Sequence, residues 1–229
     1  MTRPPFFTRK TLRFLEELER NNDREWFAAN KPRYEADVLD PALAFIDAMY
    51  EPLGRVAPRF TAIPRRVGGS LMRIYRDTRF SRDKTPYKTN IGIQFRHELG
   101  RDVHAPGFYL HIEADSAFIG AGMWRPASDP LRAIRERIAA RPKDWLRAVG
   151  DKRFRRHFSL RGEALSRPPR GFDKGHPQIE DIKRKDFIAV RDIAVTDVLK
   201  PGLSGKVVTS IEAAEPFMRF LCKATGVPY

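Results

Sequence analysis

The chain has little of several things, and each shortage excludes something. It carries one cysteine, Cys222, in 229 residues. An internal disulfide and a cysteine-built zinc cage are therefore ruled out. No apolar run approaches the ~20 residues that span a bilayer. The basic start, MTRPPFFTRKTLRF, lacks the apolar stretch and small-residue cleavage site of a secretory signal. The expectation is a cytoplasmic protein with no membrane partner. There is no G-x-x-x-x-G-K-[ST], G-x-S-x-G, H-E-x-x-H or paired-cysteine motif, so the mechanisms those motifs carry have no support. His97, His104 and His111 are spaced by seven, but strand register and the intervening Gly100 and Pro106 argue against their meeting on a metal. No cofactor and no metal site is expected. Acid is also scarce: 43 lysines and arginines stand against 29 aspartates and glutamates, for a formal charge of +14. Such a surface attracts nucleic acid, acidic lipid headgroups or phosphorylated small molecules.

What is present is a folding chain. Hydrophobic residues make up 41 %, with 16 phenylalanines and 3 tryptophans, enough for a core within one domain spanning 1–229. Residues 8–20 read as a helix capped by Thr8, with Phe14, Leu12, Leu15 and Leu18 on its apolar side. A second helical region follows NND, with Pro32 and Pro41 marking first turns or kinks, so that 8–53 is helical. From 70 to 124 the period changes to two. SLMRIYRD (70–77), NIGIQF (90–95), GFYLHIE (107–113) and SAFIGAGMW (116–124) read as four strands, with ADS as a hairpin turn. GFYLHIE puts Phe108, Leu110 and Ile112 on one face and Tyr109, His111 and Glu113 on the other. Helices are expected at 128–140, with Asp129 as cap, and at 142–150. An irregular basic region to 185, a strand at 186–193 and a helix at 203–226 capped by Gly226 complete the chain. The fold class is α+β, with a central antiparallel meander flanked by N-terminal and C-terminal helices.

One stretch stands out in charge. Between 65 and 88 lie eight basic residues and two acids, Asp77 and Asp83. The segment TRFSRDKTPYKT hangs between two expected strands, where ligands are commonly held. Arginine forks match phosphate or carboxylate oxygens, and lysine adds a point charge. Arg73, Arg76, Arg79, Lys84 and Lys88 are the expected anion ligands, helped by the hydroxyl of Ser81. Tyr75, Tyr87 and Tyr109 are expected to line a wall, because aromatics among cations build a pocket side or a stacking platform. Asp77 would orient an arginine. If the strands pair as a meander, Tyr75 and Asp77 share a face with Gln94, Tyr109 and His111, which makes His111 a candidate general acid or base. The bland alternative is that Asp77 and Asp83 pair with neighbouring arginines and pin the loop.

NNDREWF, RIYRDTRFSRDKTPYKTNIGIQF, PGFYLHIE with FIGAGMWRP, and RPPRGFDKGHP with KRKDFIAVR occur in that order. Together they resemble the family known as domain of unknown function 2461, over nearly the whole chain from Phe7 to Leu221. Asp23 in the asparagine run and Arg82 where lysine is common are mild departures. The resemblance implies an intracellular protein of about this length and brings no reaction, cofactor or catalytic residue with it. The residues themselves favour a pocket for an anionic small molecule with catalysis as an option. The alternatives are a nucleic-acid-binding surface and a non-enzymatic interaction protein.

Overall fold

A computed structural model describes residues 4–100 and 105–229. The chain opens with α1 (Arg9–Arg20), whose first turn is closed by Thr8 and Thr11 in a reciprocal capping box. Asp23 caps α2 (Arg24–Tyr34), accepting from the Trp26 amide. A π-helical turn, Glu35–Leu39, joins α2 to α3 (Asp40–Val56). The widened turn sits just before Pro41, which has no N–H to give the preceding turn.

A six-stranded antiparallel sheet follows, in the order β1-β2-β3-β4-β6-β5. Its strands are β1 (Phe60–Thr61), β2 (Ile91–His97), β3 (Gly107–Ile112), β4 (Ala117–Met123), β5 (Ser159–Arg161) and β6 (Phe187–Ile193). Between β4 and β5 come α4 (Ser128–Ala140), α5 (Pro142–Gly150) and α6 (Lys152–His157). Then follow α7 (Ile179–Ile182), α8 (Val195–Val198) and the long α9 (Leu203–Thr225), which ends at a left-handed Gly226. None of the described helices is long and apolar enough to cross a membrane. The protein is α+β, with helices at both ends of an antiparallel sheet.

One face of the sheet carries the core. Ile91, Ile93 and Phe95 of β2, Phe108, Leu110 and Ile112 of β3, and Ile119, Ala121 and Met123 of β4 are buried. α9 packs against β4 and against α3, α4, α5 and α6. Trp145 is fully buried, and its indole N–H donates to Asp181 at 2.7 Å. Strand ends are fastened by another carboxylate. Buried Asp186, just before β6, accepts from the amides of Arg125, after β4, and Glu163, after β5, at 2.7 and 3.0 Å. Gly122 has φ +126°, and a β-carbon there would lie 2.0 Å from the Phe187 carbonyl oxygen, so this position in β4 admits only glycine.

Three expectations need correction. Residues 70–77 do not form a strand. They touch the sheet through one isolated bridge, Leu71 with Ile93, while a second, Tyr75 with Tyr87, ties them to the residues that precede β2. Leu71 and Ile74 are the buried apolar positions, three apart rather than two. Between the bridges, positions 72–74 face positions 88–92, so the second side bulges outward opposite Arg73. Second, α4 starts at Ser128, which places Asp129 inside the first turn instead of at the cap. Third, β1, β5, α6, α7 and α8 arise where no period signalled them, because each is too short or too charged to show one.

Candidate functional site

The register of the sheet builds the site. Gln94 lies opposite Tyr109, and Gly92 opposite His111. On the other side, Gly120 meets Tyr109 and Phe118 meets His111. These side chains occupy the face opposite the core. The period-two spacing of Tyr109, His111 and Glu113 therefore does place the three together, and they form a hydrogen-bonded chain. His111 Nδ1 is 3.1 Å from the Tyr109 hydroxyl, and Nε2 is 3.0 Å from a Glu113 carboxylate oxygen. The Ser116 hydroxyl donates to the other Glu113 oxygen at 2.9 Å. Asn90 Nδ2 lies 3.5 Å from the Tyr109 oxygen and 3.4 Å from His111 Nδ1. The Phe118 ring stacks on the imidazole, centroids 4.6 Å apart and planes 13° from parallel. Gly92 makes room for the phenol: a β-carbon there would stand 2.6 Å from its oxygen.

Electrostatics follow from this packing. Burial pushes the Tyr109 phenol up to about 12. Burial would raise the Glu113 carboxyl, but the hydrogen bonds from His111 and Ser116 together outweigh it, and the net shift is downward. An ionised Glu113 can only accept, so Nε2 carries a proton. In the neutral ring Nδ1 is then the acceptor, facing the Tyr109 O–H. Both ring nitrogens are occupied by the protein's own groups, and the His111 side chain is only 15 % exposed.

The basic hairpin reaches this face through its bulge. Arg76 pairs with Asp83 and also meets Thr85. Arg79 pairs with Asp77 through two hydrogen bonds, at 3.0 and 2.7 Å. The Lys84 ammonium donates to the Thr78 carbonyl at 2.9 Å. The hydrogen bond from Arg79 holds the Asp77 carboxyl down to about 2, and the one from Arg76 does the same for Asp83. Arg76 and Arg79 are thus already offset by the loop's own acids. Tyr87 is buried, stacked on Phe27 of α2 at 4.1 Å, with Tyr75 tilted against it at 5.6 Å. Its backbone is clamped by Asn22, whose side-chain amide bonds both its N–H and its C=O at 3.0 Å. Tyr75 and Asp77 therefore do not join the Tyr109 face. Ser81 sits at the turn, its amide donating to the Thr78 carbonyl at 3.3 Å.

Arg73 and Lys88 behave differently. The Lys88 amide donates to the Ile74 carbonyl at 2.7 Å, which sets Lys88 beside the 73–74 segment. Burial, and then the charge of Arg73, lower the Lys88 ammonium below its usual value. Neither residue pairs with a carboxylate among the described residues. Lys88 lies in the same bulge as Asn90.

Comparison with known protein families matches residues 10–220 to DUF2461, described as a conserved hypothetical protein. The chain belongs to the DUF2461 family. A search of the curated proteins returned no match. The DUF2461 match spans the quoted motifs, and the structure gives several of them a physical role. NND supplies the Asn22 clamp and the Asp23 cap, and FYLHIE supplies the Tyr109–His111–Glu113 chain.

Among the described residues, no group of three or more His, Cys, Asp or Glu side chains gathers as a metal site. His104 lies outside the described residues, and His97 is committed elsewhere, to the Pro228 carbonyl and the Leu99 amide. Two surface hollows of about 390 and 690 Å³ run along α1 and are not lined by Tyr109, His111 or Glu113. Asn90 and Gly92 went unnoticed in the sequence, because their roles depend on the bulge and on cross-strand register.

Proposed function

We propose that the protein binds a small molecule bearing a phosphate or carboxylate, where the bulge of the basic hairpin meets Tyr109 and His111. The observation that carries this reading is the Arg73–Lys88 pair, two neighbouring cations without a carboxylate partner among the described residues. Like charges held together repel, and an anionic guest offsets that repulsion. A guanidinium fork and an ammonium are also well suited to gripping such oxygens. Arg76 and Arg79 shape the loop through their own aspartates. The lone cysteine is buried, and burial pushes its thiol up to about 12, which suits a reducing cytoplasm.

The test is calorimetric titration with inorganic phosphate. Arg73→Ala and Lys88→Ala are each expected to weaken saturable binding about tenfold, as loss of a charged contact does. Arg132→Ala, on the exposed side of α4, serves as the control. Binding that survives the Arg73/Lys88 double substitution ends the reading.

One observation favours nucleic acid as the second reading. Phe80 is 95 % exposed at the tip of the hairpin, with the Arg79 guanidinium 5.8 Å from its ring centre. An exposed ring among cations is a platform for an unstacked base. Affinity for a single-stranded oligonucleotide would then fall with Phe80→Ala and drop steeply with salt. Equal affinity in the variant would remove this reading.

A further inference from the structure

His111 has the chemistry of a proton carrier but no free nitrogen to offer a ligand, since Nε2 faces Glu113 and Nδ1 faces Tyr109. Whatever it does to a bound molecule must pass through a neighbour. Glu113 is tied to His111 and Ser116. Tyr109 is the member of the chain whose oxygen packs on the Gly92 backbone next to the Met72 thioether, and beside Asn90 in the bulge that also carries Lys88.

We propose that Tyr109 is the reacting group of this site, a phenol that gives its proton to His111 Nδ1 as it takes one from a bound phosphate- or carboxylate-bearing molecule. The placement of that molecule rests on the anion reading above. The step balances. A proton leaves the guest for the Tyr109 oxygen, the Tyr109 proton moves to Nδ1, and the ring becomes an imidazolium whose Nε2–H stays on Glu113. The guest gains one negative charge, next to Arg73 and Lys88. No oxidant or co-reactant is needed. Tyr109 is the catalytic residue, while His111 and Glu113 are positioning residues that act through it. Raised by burial, the phenol is protonated at rest, so it loses its proton only in concert with His111. Asn90, whose amide can donate to the oxygen, steadies the charge that develops there.

The chain can be tested without knowing the natural guest. A sulfonyl fluoride reacts with an activated phenol: the O–S bond forms, fluoride leaves, and the phenol proton passes to the adjacent base. Benzenesulfonyl fluoride is the neutral probe and 4-(fluorosulfonyl)benzoate the anionic one, with modification mapped by mass spectrometry. Tyr50, 70 % exposed, is the internal reference. The neutral probe should modify Tyr109 on the order of a hundredfold faster than Tyr50, the scale of a positioned base. His111→Gln keeps an acceptor for the phenol but cannot take up a proton. It should bring Tyr109 down to the Tyr50 rate while the protein stays folded, as circular dichroism checks. Nitrogen NMR of the unmodified protein should show His111 as the Nε2–H tautomer. A Tyr109 rate no greater than that of Tyr50, an unchanged rate in His111→Gln, or the Nδ1–H tautomer would each overturn the proposal. The probes also separate the two readings. Fast neutral labelling with no preference for the anionic probe supports the proton chain and counts against the Arg73–Lys88 anion site. Slow labelling beside intact phosphate binding does the reverse.

Discussion

Replacing Asn22 with alanine tests how the basic hairpin is held. The Asn22 side chain lies between α1 and α2, yet it bonds Tyr87 as a strand neighbour would, donating to the carbonyl and accepting from the amide at 3.0 Å each. Each bond contributes about 1 kcal/mol net, and both Tyr87 groups lose their partner together, so Asn22→Ala should cost about 2 kcal/mol. The Phe27–Tyr87 ring stack remains, so the fold should survive. Asn22→Asp keeps the acceptor for the Tyr87 amide but sets a carboxylate against its carbonyl, and should lose at least half as much. The assay is urea denaturation at constant m-value, read beside hydrogen exchange at the Tyr87 and Lys88 amides. Exchange at these two should accelerate more than at Ile93 in the strand itself. An Asn22→Ala protein within about 0.5 kcal/mol of wild type, a change too small for two lost hydrogen bonds, would refute the clamp and leave the hairpin held by ring packing alone.

Other outcomes follow from the same geometry. Gly92→Ala should drive the phenol off His111, costing about 1–3 kcal/mol by overpacking and lowering the Tyr109 labelling rate; melting and labelling curves check both. Trp145→Phe removes the indole donor to Asp181 and should lose about 2 kcal/mol in chemical denaturation, a typical value for a bond to a charged acceptor. The carboxyls of Asp77 and Asp83 are held near 2 in the folded loop against an ordinary 3.8. Their contribution is therefore whole above about pH 4 and fades as pH falls through about 2. Limited proteolysis by pepsin across that interval should show cleavage at 77–85 rising toward the acid end.

The parts of the fold that the chain announces are those with a sustained period and a stop signal. α5 at 142–150 opens on Pro142, and α9 closes on Gly226, because a proline fits a first turn and a glycine fits the left-handed position after the last. β3 is legible because its alternation separates Phe108, Leu110 and Ile112 from Tyr109 and His111. Residues 70–77 alternate equally well on paper, yet the edge of β2 is already shared with β1 at His97 and Arg96. The chain there meets β2 only at the Leu71–Ile93 bridge, and a bulge separates this from the Tyr75–Tyr87 bridge beyond the strand. The same limit applies to the site. The Tyr109–His111–Glu113 face could be read from spacing. The place of Asn90 and the nearness of Lys88 to the 73–74 segment depend on a bulge that leaves no local signature. Which cations stay free is a question of pairing geometry, and Asp77 and Asp83 answer it for Arg79 and Arg76.

Asp186 has a reach that its single carboxylate does not suggest. By taking the amides that follow β4 and β5 while itself leading into β6, it rivets three adjoining ribbons at one end. The same strand, β4, carries Phe118 near its other end, the ring lying flat on the imidazole. A substitution at Asp186, far along the chain from FYLHIE, would thus bear on the strand that carries this ring.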